Sequence, residues 1–246
     1  MKNKLDVGGT LSQVFSIYGA QAGTLLPVAF WLFLVVAIVN GVVGSELALL
    51  PLVLAVGTIA GTLYQGMVVG LVSDVQDGRR DSSAGDLIRS AMPVVLPLIG
   101  AGLLAGIGIG IGMILLIVPG LILATIWAVI APAIVVERVG VFRSFSRSHD
   151  LVRGNGMQVF GVIVVAFVIV LVGSLVFGAI ADAVSNGPIV RIVFSAIAST
   201  ITAPISALVA AVLYFRLREF EATPAAAAGG PEAPAPPTIP PPPPTA

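Results

Sequence analysis

Arg138, Arg143, Arg147 and Arg153 fall in one short stretch of the chain, and the chemistry open to such a cluster is the binding of anionic groups. Arg143 and Arg147 are four residues apart and share a helical face, with Phe142, Phe145 and Val152 expected on a neighbouring apolar one. This is the pattern of a helix lying among lipid headgroups, where each basic residue near an anionic surface is worth about 1 kcal/mol. The four arginines are therefore candidate lipid-headgroup contacts, and the same residues fix topology through the positive-inside rule.

Catalytic chemistry has far less to draw on. The chain has one histidine, His149, set between Ser148 and Asp150, and no cysteine, so thiolate metal sites, iron–sulfur clusters and disulfides are excluded. There is no HExxH, no GxSxG, no P-loop lysine and no pair of acids in an apolar setting. The string from Gly106 to Gly112 resembles a nucleotide-binding loop only superficially, because it lies inside an apolar run with no preceding soluble strand. No cofactor, metal or nucleic-acid partner is expected, and neither is an enzyme; His149 is read as a headgroup-level residue.

The elements that must position the arginines are membrane helices. Of 246 residues, 57% are apolar and 10% charged, against roughly a quarter charged in a soluble domain. A crossing helix needs about 20 mostly apolar residues, and four long runs qualify: Leu25 to Val43, Leu47 to Val72, Val94 to Val136 and Met157 to Phe215. The third holds no charge over 43 residues, enough for two spans, and Pro119-Gly120 marks the expected turn. The fourth is interrupted by Asp182, Asn186, Pro188 and Arg191, which mark a loop. The fold class is thus all-α: a polytopic bundle of about six transmembrane helices in three hairpins.

Orientation follows from the basic residues. Lys2, Lys4, Arg79, Arg80, Arg89, Arg138, Arg143, Arg147, Arg153, Arg216 and Arg218 collect on one side of a six-span chain and only Arg191 on the other. Both termini are therefore expected in the cytoplasm. A single crossing by the third run would place Arg138 to Arg153 outside, against that rule. A polar stretch from Asp6 to Gln21 precedes the first apolar run, so that run is expected to be a retained span and not a signal peptide.

Three polar, partly amphipathic stretches precede the hairpins: Leu11 to Tyr18, Ala84 to Ala91 and Val141 to Val152. They are expected to form short cytoplasmic interfacial helices, a threefold arrangement of interfacial helix plus hairpin. The membrane domain is placed at 1–221. From Ala222 onward the chain carries ten prolines, a composition that cannot bury a core, so 222–246 is expected to be a disordered polyproline-like spacer.

Small residues recur at helix-packing spacing: Gly57 with Gly61, Gly66 with Gly70, and Gly102 with Gly106 and Gly110. In lipid such faces let backbones approach, within one chain or between copies, so a protein partner or homo-oligomer is a further expectation. Pro51, Pro97, Pro132 and Pro204 lie within spans, with Pro132 and Pro204 placed deepest as kinks. Asn40, Gln65, Thr200 and Thr202 are expected to bond between helices or to line a polar path.

Pro119-Gly120, Trp127, Pro132, Glu137, Ser144, Ser148, Arg153-Gly154 and Phe160, with the opening LSQVFSIYG, resemble a bacterial membrane-domain family named for its occurrence in glycerophosphoryl diester phosphodiesterases. The resemblance concerns the membrane part alone and carries no catalytic domain. It implies a prokaryotic cytoplasmic-membrane protein connected with membrane lipids or the envelope. The functional expectation is a non-enzymatic module that engages lipids, anionic ones among them, or a partner; the alternative is a small-solute or lipid transporter.

Overall fold

The computed structural model describes residues 5–43, 46–78, 85, 86, 89, 92–184 and 187–227. Among these, all regular structure is helical. The helices are α1 (Val7–Val43), α2 (Leu50–Gln76), α3 (Val95–Leu115), α4 (Ile117–Ile126), α5 (Ile130–Glu137), α6 (Val141–Val152), α7 (Gly156–Val184) and α8 (Pro188–Ala227). Six segments are long and apolar enough to cross a membrane, α4 and α5 counting together as one. The chain is therefore a helical membrane bundle. Lys2, Lys4, Arg79, Arg80, Asn186, most of the Ala84 to Ala91 stretch and the tail beyond Ala227 lie outside the described residues.

α1 has 37 residues and α8 has 40. At about 1.5 Å per residue both exceed the roughly 30 Å hydrocarbon core. The expected interfacial helix at Leu11 to Tyr18 is not a separate element: it is the first part of α1. Nothing between Tyr18 and Leu25 breaks a helix, and Pro27, which could, sits in the helix interior. The carboxylate of Asp6 starts α1 by accepting from the amides of Gly8 and Gly9, both at 3.0 Å. α8 likewise runs on to Ala227, beyond the expected boundary at Ala222.

The hairpin in the third apolar run turns at Leu116, which is extended (φ −160°, ψ 133°). Pro119 falls in the first turn of α4, where a missing N–H has no intrahelical acceptor to lose. The turn therefore comes three residues before the expected Pro119-Gly120, and Gly120 serves a different purpose. A Cβ on Gly112 would lie 3.0 Å from the Gly120 backbone, and one on Gly120 2.7 Å from the Met113 nitrogen. The two helices close on each other only because both positions lack a side chain.

The expected packing glycines behave differently. Gly102 meets a facing helix, at Thr62, while Gly57, Gly61, Gly106 and Gly110 have open space where a Cβ would stand. Gly66 is buried and Gly70 half-buried. Close approaches occur instead at Gly112 with Gly120, Gly108 with Trp127, Gly173 with Thr202 and Gly41 with Ile192.

The core lies towards the end of the bundle that carries the N-terminus of α1, α6 and the C-terminal turns of α8, called the basic end here. α8 supplies an unbroken buried run from Ala207 to Phe215. α2 buries Ala60 and, in its second half, Tyr64, Met67 to Val69, Leu71 and Val72. Towards the far end exposure dominates, with Val42 at 78% and Ile114 at 87%. Those side chains face lipid, as apolar surface on a spanning helix must.

These glycine environments separate by mutation. Gly120→Ala is expected to lower thermal stability in detergent by about 1–3 kcal/mol through overpacking. Gly57→Ala is expected to be neutral or to stabilise by up to about 1 kcal/mol through helix propensity. Thermal unfolding of both variants checks the difference in sign.

Candidate functional site at the basic end

Pro132 has no N–H to give and its ring crowds the carbonyl of Ala128, which weakens the span there, although α1 and α8 carry Pro27 and Pro204 without interruption. The break spans Trp127 to Val129, where Ala128 bonds back to Thr125 and Ile130 to Trp127 at 3.3 and 3.4 Å in place of the α-helical pattern. Among the backbone groups without α-helical partners at this break are the carbonyl of Ile126 and the amide of Val129. Ser148 of α6 takes both: its hydroxyl donates to the Ile126 carbonyl (2.7 Å) and accepts from the Val129 amide (3.3 Å). One serine thus completes a helix in a different part of the chain. Trp127, at the same break, packs edge-on against Phe145 of α6 at 5.0 Å.

α6 can reach the break because its inward face is small. Ser144 and Ser148, four residues apart, are fully buried, with Leu151 and Val152 beside them. The chain returns from α5 through Arg138, which adopts the left-handed conformation (φ 53°), a strain of about 1–2 kcal/mol for a residue with a Cβ. It leaves α6 through Gly154 at φ 94°. Asn155 then accepts from Val159 through its carbonyl and from the Leu5 amide through its side chain.

Arg147, next to Ser148, is the centre of an ion-pair node. Its Nε donates to both carboxylate oxygens of Glu137 at 2.9 and 2.8 Å, and its two terminal nitrogens clamp Glu221 at 2.7 Å each. The Tyr214 hydroxyl donates to Glu137 at 2.9 Å. The hydrogen bond to Glu221 raises the Arg147 pKa above its ordinary value, desolvation opposes it, and Glu137 adds to the rise. The guanidinium is therefore a permanent cation joining α5, α6 and α8. Nearby, Arg216 donates to the Gln13 side chain (2.8 Å) and to the Gly9 carbonyl (3.1 Å), tying α8 to α1.

The four arginines accordingly divide. Arg147 is consumed by the node, at 23% side-chain exposure. Arg138 is exposed in the turn, and Arg143 and Arg153 are exposed on α6 and at its end. Among the described residues the guanidinium groups of Arg143 and Arg153 have no ion pair or hydrogen bond. The outward face of α6 reads Phe142, Arg143, Ser146, His149, Asp150 and Arg153. Phe142 is 82% exposed, whereas Val152 is buried and Phe145 half-buried. The expected apolar face of Phe142, Phe145 and Val152 is therefore split, because the buried arc is centred on Ser148. Thr200 and Thr202 bond to carbonyls of their own helix, at Ala196 and Ala198, and not between helices.

A family model described as a domain of unknown function, DUF7847, matches residues 7–217. That range takes in all six spans and α6, and stops short of the last turns of α8. A protein of Pectobacterium carotovorum named as a UPF0259 membrane protein is 35% identical over 105 residues, 41% of this chain. The match covers 42% of that relative's length. No solved structure matches the chain.

Removing the Ser148 hydroxyl leaves a buried carbonyl and amide without partners. Ser148→Ala is expected to destabilise by about 1–3 kcal/mol, whereas His149→Ala, one residue on and outward-facing, is expected to stay within about 0.5 kcal/mol. Thermal unfolding of the two variants in detergent measures the contrast.

Proposed function

We propose, from the premise that this chain belongs to the family described as a domain of unknown function, DUF7847, that it is a non-enzymatic membrane module engaging anionic lipid headgroups through the outward face of α6. The observation that carries this reading is the state of Arg143 and Arg153. Two cations that could have been paired within the fold project outward instead, with the bare ring of Phe142 next to Arg143. An aromatic ring seated at the headgroup boundary and two cations among phosphates are what an interfacial helix offers a membrane surface.

The arrangement of basic residues supports an orientation with this end in the cytoplasm, where anionic lipid is available, and the bacterial relative supports a prokaryotic plasma membrane. The resemblance to the membrane domain of glycerophosphoryl diester phosphodiesterases, which concerns no catalytic part, favours the same lipid-connected role. A transporter would need a polar route through the bundle, and the Thr200 and Thr202 hydroxyls are turned to their own helix.

The test leaves Arg147 untouched, since its loss would disturb the fold. The protein is extracted with its native lipids and analysed by native mass spectrometry, alone and as Arg143→Gln/Arg153→Gln. At about 1 kcal/mol per basic residue, the double variant should retain anionic lipid roughly 10- to 30-fold more weakly, with neutral lipid unaffected. Equal retention of anionic lipid by both proteins would remove the headgroup reading.

A further inference from the structure

We propose that the α3–α4 hairpin is a swinging element, jointed at the Trp127 to Val129 break and latched in its present position by α6. Its tip is a continuous exposed stretch: Ile114 is 87% exposed, and Leu115, Leu116, Ile117 and Val118 lie between 65% and 73%. The hairpin is nevertheless a unit, because Gly112 and Gly120 bring its two helices into backbone contact.

Each leg has its own flexible point. In the α4 leg it is the break itself, where the backbone lacks regular α-helical bonds. In the α3 leg it is the run Gly106, Gly108, Gly110 and Gly112, four glycines at alternate positions in one helix. Each glycine weakens a helix by roughly 1 kcal/mol relative to alanine. Beside that run α3 has open space at Gly106 and Gly110, and its contact with α2 at Gly102 and Thr62 lies nearer the basic end. The rest of the bundle stays joined towards the far end, where Gly41 meets Ile192 and Gly173 meets Thr202, linking α1, α7 and α8. α4 also touches α7 and α3 touches α2, so the hairpin moves on its two weak points at one level by sliding past these neighbours, against a bundle held by its own joints.

The latch is equally specific. Ser148 holds both loose backbone groups of the break, and Phe145 holds Trp127, whose ring lies against Gly108 on the other leg. α6 itself is fixed to α5 and α8 through Arg147. A displacement of α6 therefore releases the break and the aromatic contact together, and the hairpin swings. This mechanism does not depend on what α6 binds.

The chain has no cysteine, so paired spin labels can be introduced cleanly and distances read by pulsed electron resonance in lipid nanodiscs. The moving pair is Val42→Cys with Ile114→Cys, spanning the far ends of α1 and the hairpin. The control pair is Ser12→Cys with Arg218→Cys, across the basic end. The moving pair is expected to give a distance distribution at least twofold broader than the control. Adding Ser148→Ala, or Phe145→Leu as a second route to the same release, should broaden or shift the moving pair while the control stays unchanged. Ser148→Thr, which keeps a hydroxyl, should restore the original distribution. A moving pair as narrow as the control overturns the joint. A broad moving pair indifferent to both release variants overturns the latch. Lipid retention plays no part in these readings, so they stand or fall separately from the headgroup proposal.

Discussion

Inside hydrocarbon a backbone carbonyl or amide that loses its helical partner has no water to turn to, and this constraint organises the basic end of the bundle. Such a loss occurs between Trp127 and Val129, shortly before Pro132. The fold answers it by bringing a separate helix, α6, close enough for the Ser148 hydroxyl to serve as both donor and acceptor. That requirement accounts for Ser148 on the inward face of α6, a small side chain whose hydroxyl reaches the break, while the Ser144 hydroxyl bonds to Val141 of its own helix. It also explains the strained left-handed turn at Arg138, which returns the chain so that α6 lies against the helix it completes.

The ion-pair node follows from the same placement. Once Ser148 is fixed at the break, Arg147 is directed towards the ends of α5 and α8, where Glu137 and Glu221 share it. Partly enclosed, the guanidinium is more use as a tie among three helices than as a solvated charge. Arg143 and Arg153 lie outside this arc and remain available to the surface. A single short helix therefore faces two ways, with the Ser148 hydroxyl inward on the broken span and the cations of Arg143 and Arg153 outward.

Much of the architecture was legible beforehand. Six spans follow from counting apolar residues, and the uncharged run from Val94 to Val136 had to hold two of them. The chain turns at Leu116 and not at Pro119 because a proline is tolerated in the first turn of a helix as readily as in a loop. The separate first interfacial helix failed because polarity marks where a helix leaves the membrane and says nothing of whether it stops; α1 passes Gly19 and Gly23 without a cap. The glycine stripes are a related case: spacing shows that close approach is possible, and the partner's position shows where it happens, as at Gly102 with Thr62. Ser148 carried a faint signal, as serines four apart on an otherwise amphipathic helix and a proline shortly after Trp127 both call for hydrogen-bond partners. The pairing of Arg147 with Glu221, separated by 74 residues, had no signal in composition or spacing.

The two-faced character of α6 is the central claim, and single-cysteine accessibility across residues 141–153 in native membrane vesicles tests it most directly. The account predicts labelling by a membrane-impermeant thiol reagent at positions 143, 146, 149, 150 and 153, in inside-out vesicles only, with positions 144, 148, 151 and 152 protected. Uniform labelling along the segment, or labelling of the serine positions in preference to the arginine positions, would contradict it.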